Sequence, residues 1–197
     1  MRVATDHREA ILQAAASLFA RKKFHEVLMD DVAEKTGIAK GTIYRFYANK
    51  EELFAALSMR YMEIMGTEVA AIAAGDGPPL TRLASLVKRL AQLSHEHIDF
   101  FQVMMRHECE LLAQRQTEFN TRRNAIRDSV VLCLKQAQAR KEVNVPFALE
   151  SAADMMLGMM RNLNRFTTPR PPPDEVAEMV LQLFLKGIAT PRNRGVA

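Results

Sequence analysis

Apolar residues recur three or four positions apart along almost the whole chain, so they line one face of a helix again and again. Two stripes show this spacing well and consist of Ile11, Ala15, Leu18 and Phe19, and of Val176, Met179, Val180, Leu183, Phe184 and Gly187. The strict alternation typical of strands is missing, and eight Gly and eight Pro residues among 197 are too few for many tight turns. The sequence therefore predicts an all-α fold.

Helix start and stop signals divide the chain into about nine helices. Asp6 and Asn49 are each followed three residues later by Glu, a capping pattern that predicts helices beginning near residues 7 and 50. The sequence GDGPP at residues 75–79 predicts the end of one long helix and the start of another at about residue 80. Further breaks are predicted near His95 and at residues 112–116, 144–146 and 167–173. Short helices up to residue 47 and longer ones beyond it predict a small head on a larger helical body.

The formal net charge of +4 is too small to indicate a polyanionic partner by itself. Cys109 and Cys133 cannot form a framework of several disulfides, which favours a reducing compartment. The first residues carry charges and no apolar signal-peptide core, and the longest apolar runs, such as residues 69–74, are far shorter than the roughly 20 residues that cross a bilayer. We therefore expect a cytoplasmic protein without a membrane segment.

The stretch from Met29 to Lys50 combines apolar anchors with a glycine suited to a sharp turn. The anchors are Val32, Ile38, Ile43 and Phe46. Gly37 can take the left-handed conformation that ends a helix, and the small Ala33 lets two helices cross closely. This spacing is typical of a helix-turn-helix, here at about residues 28–47. The alternative interpretation is an ordinary helical hairpin whose exposed face happens to be basic.

The second helix of this pair carries side chains that suit the major groove of DNA. The residues expected outside the protein core are Lys40, Thr42, Tyr44, Arg45 and Tyr47. Lys and Arg donate to the O6 and N7 atoms of guanine, and Thr or Tyr packs on the methyl group of thymine. Gly41 lets the helix backbone approach DNA closely, while Tyr47 and Lys50 are expected to contact phosphates and set the register.

Residues 11–19 read ILQAAASLF, residues 31–44 read DVAEKTGIAKGTIY and residues 46–53 read FYANKEEL. These segments resemble the DNA-binding domain of TetR/AcrR-type transcriptional regulators. The resemblance implies an all-helical homodimer with a helix-turn-helix DNA-binding domain at residues 5–65 and a ligand-binding and dimerisation domain at residues 66–190. It also implies base or adjacent phosphate contacts for Lys40, Gly41, Thr42, Tyr44 and Arg45, and phosphate contacts for Tyr47 and Lys50.

Two positions in the head depart from this family pattern. Lys23 stands where the family commonly has Gly before an aromatic residue, here Phe24, and Leu28 stands where Ser or Thr usually caps the second helix. A missing cap costs about 1 kcal/mol. We therefore expect local differences at these two places, outside the recognition helix. The neighbouring lysines, Lys22 and Lys23, are either solvated surface or a further DNA contact.

Methionines are frequent in the body, and their flexible side chains can line an adaptable pocket for an apolar or aromatic ligand. By analogy with the family, the expected pocket residues are Phe100, Phe101, Met104, Met105 and His107, with Met156 and Met160 opposite them. Packing in the core or in a dimer is the commoner role of such methionines. The His and Cys side chains at positions 95, 97, 107 and 109 lack the spacing of metal ligands, so no metal or other cofactor is expected.

Residues 150–165 and 174–186 each carry an apolar stripe, and in a homodimer these last two helices would form a four-helix interface. A dimer presents two recognition helices to successive major grooves about 34 to 36 Å apart, which predicts a palindromic operator in double-stranded DNA. We expect a repressor that a small-molecule inducer releases from this operator. Activation is the alternative within the same class.

The alternative from another class is a helical carrier or enzyme-like ligand binder without specific DNA binding. The sequence shows no Gly-rich phosphate loop, no nucleophile signature and no paired carboxylates at catalytic spacing. We therefore do not expect an enzyme.

Overall fold

Helices make up almost all of the computed structural model, which describes residues 2–96, 115–169 and 171–188. Within these ranges the chain forms eight α-helices, one 3-10 turn and no strand, so the predicted all-α fold is confirmed. The helices are α1 (Arg2–Phe19), α2 (Met29–Thr36), α3 (Lys40–Phe46), α4 (Lys50–Ala74), α5 (Pro79–Glu96), α6 (Gln116–Ala139), α7 (Leu149–Phe166) and α8 (Pro173–Ile188), and the 3-10 turn spans Phe24–Glu26. The ninth predicted helix, between His95 and residue 112, falls almost entirely outside the described residues.

The two capping patterns have different outcomes. At the start of α4, the Asn49 side chain accepts the N–H of Glu52 (2.7 Å) and a Glu52 carboxylate oxygen accepts the N–H of Ala48 (2.8 Å), so this prediction is confirmed. The predicted start near residue 7 is wrong, because α1 begins at Arg2. No Gly or Pro interrupts the residues before Asp6, so Asp6 continues a helix instead of capping it.

Gly and Pro residues separate the long helices where the sequence predicted. α4 ends at Ala74, and α5 begins with Pro79, whose missing N–H costs nothing in a first helical turn. Between them Gly77 has a φ of 105°, a conformation that only Gly adopts at little cost. The breaks predicted at residues 144–146 and 167–173 lie between α6, α7 and α8.

The described helices belong to two compact units, and α4 runs from the first into the second. The described part of the first unit comprises residues 2–63 and 115–120. Its core residues, all at most 1% exposed, include Ile11, Phe19, Val32, Ile43, Leu53 and Phe54. The rings of Phe19, Phe24 and Phe54 form one cluster with centroids 5.0–5.7 Å apart. This cluster joins α1, the 3-10 turn and α4, while the predicted domain boundary after residue 65 stays a prediction.

The second unit has its own core. Its described part comprises residues 64–96, 121–169 and 171–188. α5 packs along α8, and α7 packs on both. The buried side chains of α5 recur at helical spacing and include Leu83, Leu86, Val87 and Leu90. Arg82 on the same helix donates to the Ala73 carbonyl oxygen in the last turn of α4 and to the Gln136 side chain on α6, which ties three helices together.

Candidate nucleic-acid interface

The turn between α2 and α3 is fixed by Gly37. This residue has φ 68° and ψ 7°, the left-handed conformation, and its N–H donates to the Ala33 carbonyl oxygen (2.9 Å). The Thr36 hydroxyl donates to the Val32 carbonyl oxygen (2.8 Å) and accepts the N–H of Ile38 (3.2 Å). These bonds end α2 and redirect the chain before α3 begins, so α2 and α3 form the predicted helix-turn-helix.

The short helix α3 has one buried and one accessible face. Ile43 is fully buried beneath it. The accessible residues of α3 are the exposed Lys40, Gly41, Tyr44 and Arg45 and the half-buried Thr42. Five of the predicted DNA-contacting residues therefore lie where DNA could reach them, while the contacts themselves stay a prediction.

Gly41, in the first turn of α3, has open space around it. A Cβ added at this position would meet no atom within 4 Å, and the residue does not have a positive φ. The fold of the described chain therefore does not require glycine here. The missing side chain instead leaves the backbone of α3 open to close approach from outside.

Lys40, the first residue of α3, contacts an acid from α2. Its Nζ lies 2.6 Å from the Asp30 carboxylate and 6.0 Å from the centroid of the Tyr44 ring. Both charged side chains are more than half exposed. The hydrogen bond to Asp30 raises the pKa of the Lys40 ammonium above its usual range, so Lys40 stays charged at physiological pH.

Tyr47 does not lie outside the core, so this part of the sequence interpretation is wrong. Its side chain is 1% exposed, and its hydroxyl lies 3.4 Å from Nε of Arg8 on α1. Burying the large ring stabilises the end of α3 more than leaving it in water would. Tyr47 therefore packs inside the first unit, and its burial does not favour the predicted phosphate contact.

Lys50 lies at the start of α4 and is half-buried. Its Nζ is 4.7 Å from the centroid of the Phe24 ring, a distance at which the ring face attracts a cation. Among the residues that the structure describes, no acid forms an ion pair with Lys50. Its charge is therefore held in place by an aromatic ring and is not neutralised.

Asp31 stabilises the start of α2 in place of the missing Ser or Thr cap. Its carboxylate accepts the N–H of Leu28 (3.1 Å) and a hydrogen bond from the Lys22 ammonium (2.8 Å). Lys22 and then the Leu28 N–H lower the pKa of Asp31 below its usual range. Lys22 thus has a partner within the protein, whereas the exposed Lys23 stays a candidate for either surface or DNA contact.

Three residues that shape this interface were not predicted from the sequence: Asp30, Phe24 and Arg8. Asp30 has a recognisable local signal, because an acid in the first turn of a helix interacts favourably with the helix dipole. That signal does not identify Lys40 as its partner. Phe24 and Arg8 meet Lys50 and Tyr47 only through the tertiary fold.

The predicted ligand pocket is described only in part. The five residues outside the described ranges are Phe100, Phe101, Met104, Met105 and His107. Met156 and Met160, one turn apart on α7, are 0% and 5% exposed in the core of the second unit. Burial of this kind suits core packing and a pocket wall equally, so the pocket stays a prediction.

Residues 2–96, 115–169 and 171–188 contain neither a cluster of metal-binding side chains nor a membrane-spanning helix. No three His, Cys, Asp or Glu side chains of these ranges are grouped so that they could hold a metal ion. Within the same ranges, no helix has both the length and the apolar character needed to span a bilayer.

Known proteins similar to this chain include two regulators and one solved structure. The HTH-type transcriptional repressor KstR2 of Rhodococcus jostii (strain RHA1) is 23% identical over 197 aligned residues, which cover 94% of this chain and 93% of that protein. The uncharacterised HTH-type transcriptional regulator YhgD of Bacillus subtilis (strain 168) is 45% identical over 49 residues, only 25% of this chain and 26% of that protein. The structure of Thermus thermophilus FadR, a TetR-family repressor in complex with lauroyl-CoA, has a TM-score of 0.67 at 22% identity and covers 96% of this chain and 99% of its own.

Two family models also match the chain. Residues 11–57 match bacterial regulatory proteins of the tetR family, and residues 76–188 match the C-terminal domain of tetracyclin repressor-like proteins. The first match contains the helix-turn-helix, and the second alone covers more than half of the chain. The chain therefore belongs to the TetR family of bacterial regulatory proteins and is a DNA-binding transcriptional regulator.

Proposed function

We propose that this regulator is a cytoplasmic homodimeric repressor that binds a palindromic operator through α3 and leaves it when a small organic ligand binds. The observation that carries the proposal is the accessible polar face of α3 above the buried Ile43. Arg45 on that face is exposed and forms no ion pair with any residue that the structure describes. Its guanidinium is therefore available to donate to the two acceptors of a guanine in the major groove.

The proposed contacts divide between base reading and positioning. The proposed base readers are Lys40, Thr42, Tyr44 and Arg45, with Gly41 allowing close approach. Lys50 is the proposed phosphate contact, because its charge has no acidic partner among the described residues and is oriented by Phe24. Tyr47 is assigned to packing instead.

Dimerisation through the last two helices is supported by their exposed apolar side chains. Met155 and Phe166 on α7 are 56% and 71% exposed, and Leu183 on α8 is 68% exposed. Large apolar side chains concentrated on two packed helices are typical of a surface that pairs with a second copy. Leu183→Lys should therefore shift the protein from dimer to monomer in light scattering.

A ligand in the second unit is supported by similarity to FadR, which has been solved with lauroyl-CoA. Met156 and Met160 would then belong to the wall that faces the ligand. A ligand that prefers one separation of the two recognition helices would release the dimer from its operator.

Binding to selected DNA tests the proposal. Duplexes selected from a random library by the full chain are compared with an unrelated duplex at about 0.15 M salt, where non-specific binding is weak. Arg45→Ala should reduce the preference for selected sequences, because a lost bidentate base contact costs about 1–3 kcal/mol. Lys50→Ala should weaken binding to both duplexes alike. It should also make the salt slope, the slope of log affinity against log salt concentration, shallower by about 0.9. Equal affinity of the unaltered chain for both duplexes would contradict specific recognition.

A further inference from the structure

The ion pair between Asp30 and Lys40 lies on the surface that carries the proposed base contacts. Asp30 is the second residue of α2 and Lys40 is the first residue of α3, so the pair bridges the two helices of the helix-turn-helix. A cation at the amino end of a helix is opposed by the helix dipole. Ala39 supplies no side-chain cap to α3 and the first turn of α3 contains no acid, so Asp30 supplies the compensating charge from the neighbouring helix.

The Asp30 contact changes what Lys40 can gain from DNA. A lysine ammonium has three N–H donors, and the Asp30 carboxylate takes one of them. Phosphate binding is favoured by net positive charge and by the release of counterions from DNA. The Asp30–Lys40 pair has no net charge, so it contributes little to phosphate binding. Base reading depends on directional hydrogen bonds, which the remaining donors can still make.

We propose that Asp30 is a specificity-determining residue, which neutralises Lys40 and directs its remaining donors to a base edge in the operator. Lys40 then reads sequence and adds little to non-specific binding. Tyr44 lies about one turn further along α3, with its ring centroid 6.0 Å from Nζ of Lys40. The ring therefore limits where the ammonium of Lys40 can move. This inference depends on the DNA contacts proposed for α3.

Asp30→Asn tests the inference, because it removes the charge and keeps the shape of the side chain. Affinity is measured over a series of salt concentrations for a duplex selected by the unaltered chain and for an unrelated duplex of equal length and composition. With the unrelated duplex, we expect the salt slope of Asp30→Asn to steepen by about 0.9, the value of one added phosphate contact. We expect the preference for the selected duplex to fall roughly fivefold.

Two further variants identify the cause of any change. In the double variant Asp30→Asn with Lys40→Gln, the steeper slope should disappear, because it requires the freed ammonium. Glu34→Gln is the matched control: Glu34 is another exposed acid of α2, and it forms no ion pair with Lys40. Its removal should strengthen binding to both duplexes alike and leave the preference unchanged. Circular dichroism checks that each variant keeps its helices.

Several outcomes would overturn the inference. An unchanged slope and preference in Asp30→Asn would do so, as would a steeper slope that persists without Lys40, or a change of preference equal to that of Glu34→Gln. Equal affinity of the unaltered chain for the selected and the unrelated duplex would instead contradict the proposed function. The salt slope with the unrelated duplex would still test Asp30 in that case, so the two failures are distinguishable.

Discussion

Lys40 begins the recognition helix α3 and Lys50 begins the next helix, α4, but the surroundings of these two lysines differ. Lys40 is exposed and paired with the Asp30 carboxylate, whereas Lys50 is half-buried with its ammonium over the Phe24 ring. A carboxylate cancels the charge of a lysine, while an aromatic ring orients that charge and leaves it in place. Neighbours, more than residue type, therefore decide whether a lysine charge is cancelled or left available, and this difference is why we propose base reading for Lys40 and a phosphate contact for Lys50.

The largest expected effect comes from removing one ring of the aromatic cluster that supports Lys50. Phe54 is 1% exposed, and its ring lies 5.3 Å from Phe24 and 5.0 Å from Phe19. Phe54→Ala should lower the free energy of unfolding by about 3–5 kcal/mol, because it leaves a cavity in the core of the first unit. Urea denaturation measures the loss. Tyr44→Ala, beside Lys40 and 42% exposed, is the control and should change stability by less than about 0.5 kcal/mol.

The next largest effect compares the stability of the two helix starts at which Lys40 and Lys50 lie. Asn49 caps α4 through its side chain, while Ala39 offers α3 no such bond. Asn49→Ala should therefore cost about 1 kcal/mol in thermal or urea unfolding. Ala39→Ser, which adds a capping oxygen to α3, should be neutral or stabilising. An unchanged free energy of unfolding in Asn49→Ala would mean that the Asn49 bond contributes nothing.

Local patterns were sufficient for some of these features and not for others. The left-handed Gly37 and the Asn49 cap were predictable because their partners lie three or four residues away. The burial of Tyr47 was not, because its hydroxyl partner Arg8 is 39 positions distant in sequence. The start of α1 was predicted at the wrong residue because a capping pattern inside a helix has the same sequence as one at the start of a helix.

The candidate site divides in the same way. The accessible face of α3 followed from helical spacing, since Ile43 had to be buried. The Asp30 and Phe24 contacts required knowledge of how α2, α3, α4 and the 3-10 turn pack, which composition and spacing do not contain. Sequence could therefore predict which residues of α3 are accessible, but not which of their charges are already partnered.

A smaller effect tests the ring beneath Lys50 directly. Phe24→Leu keeps an apolar side chain but removes the ring face, so Lys50 loses an attraction of about 0.5–1 kcal/mol. We expect binding to selected and unrelated duplexes to weaken alike, by about two- to fivefold, in fluorescence anisotropy. Tyr44→Leu beside Lys40 should instead alter sequence preference. If Phe24→Leu changed preference and left non-specific affinity intact, the assignment of Lys50 to phosphates would be wrong.

The smallest effect is the pH dependence of the α2 start. Because Lys22 and the Leu28 N–H lower the pKa of Asp31 in the folded chain, its ionised form stabilises the fold. This contribution is complete above the unfolded pKa of about 4 and is lost as pH falls through the lower folded pKa. Urea unfolding of the unaltered chain and of Asp31→Asn should therefore differ at about pH 6, and this difference should shrink as the pH falls through the lowered pKa of Asp31. A gap between the two that stays constant with pH would contradict this role.

Gly41 is a position at which the clearance between α3 and bound DNA can be measured by substitution. Since a Cβ added at position 41 would meet no atom within 4 Å, small side chains of increasing volume can be introduced there with little disturbance of the protein's own packing. Alanine would even favour the helix by about 0.5–1 kcal/mol. Across a series from glycine through alanine and serine to valine, any steep loss of operator affinity must originate outside the chain. The volume at which that loss sets in gauges the clearance between the backbone of α3 and bound DNA in solution.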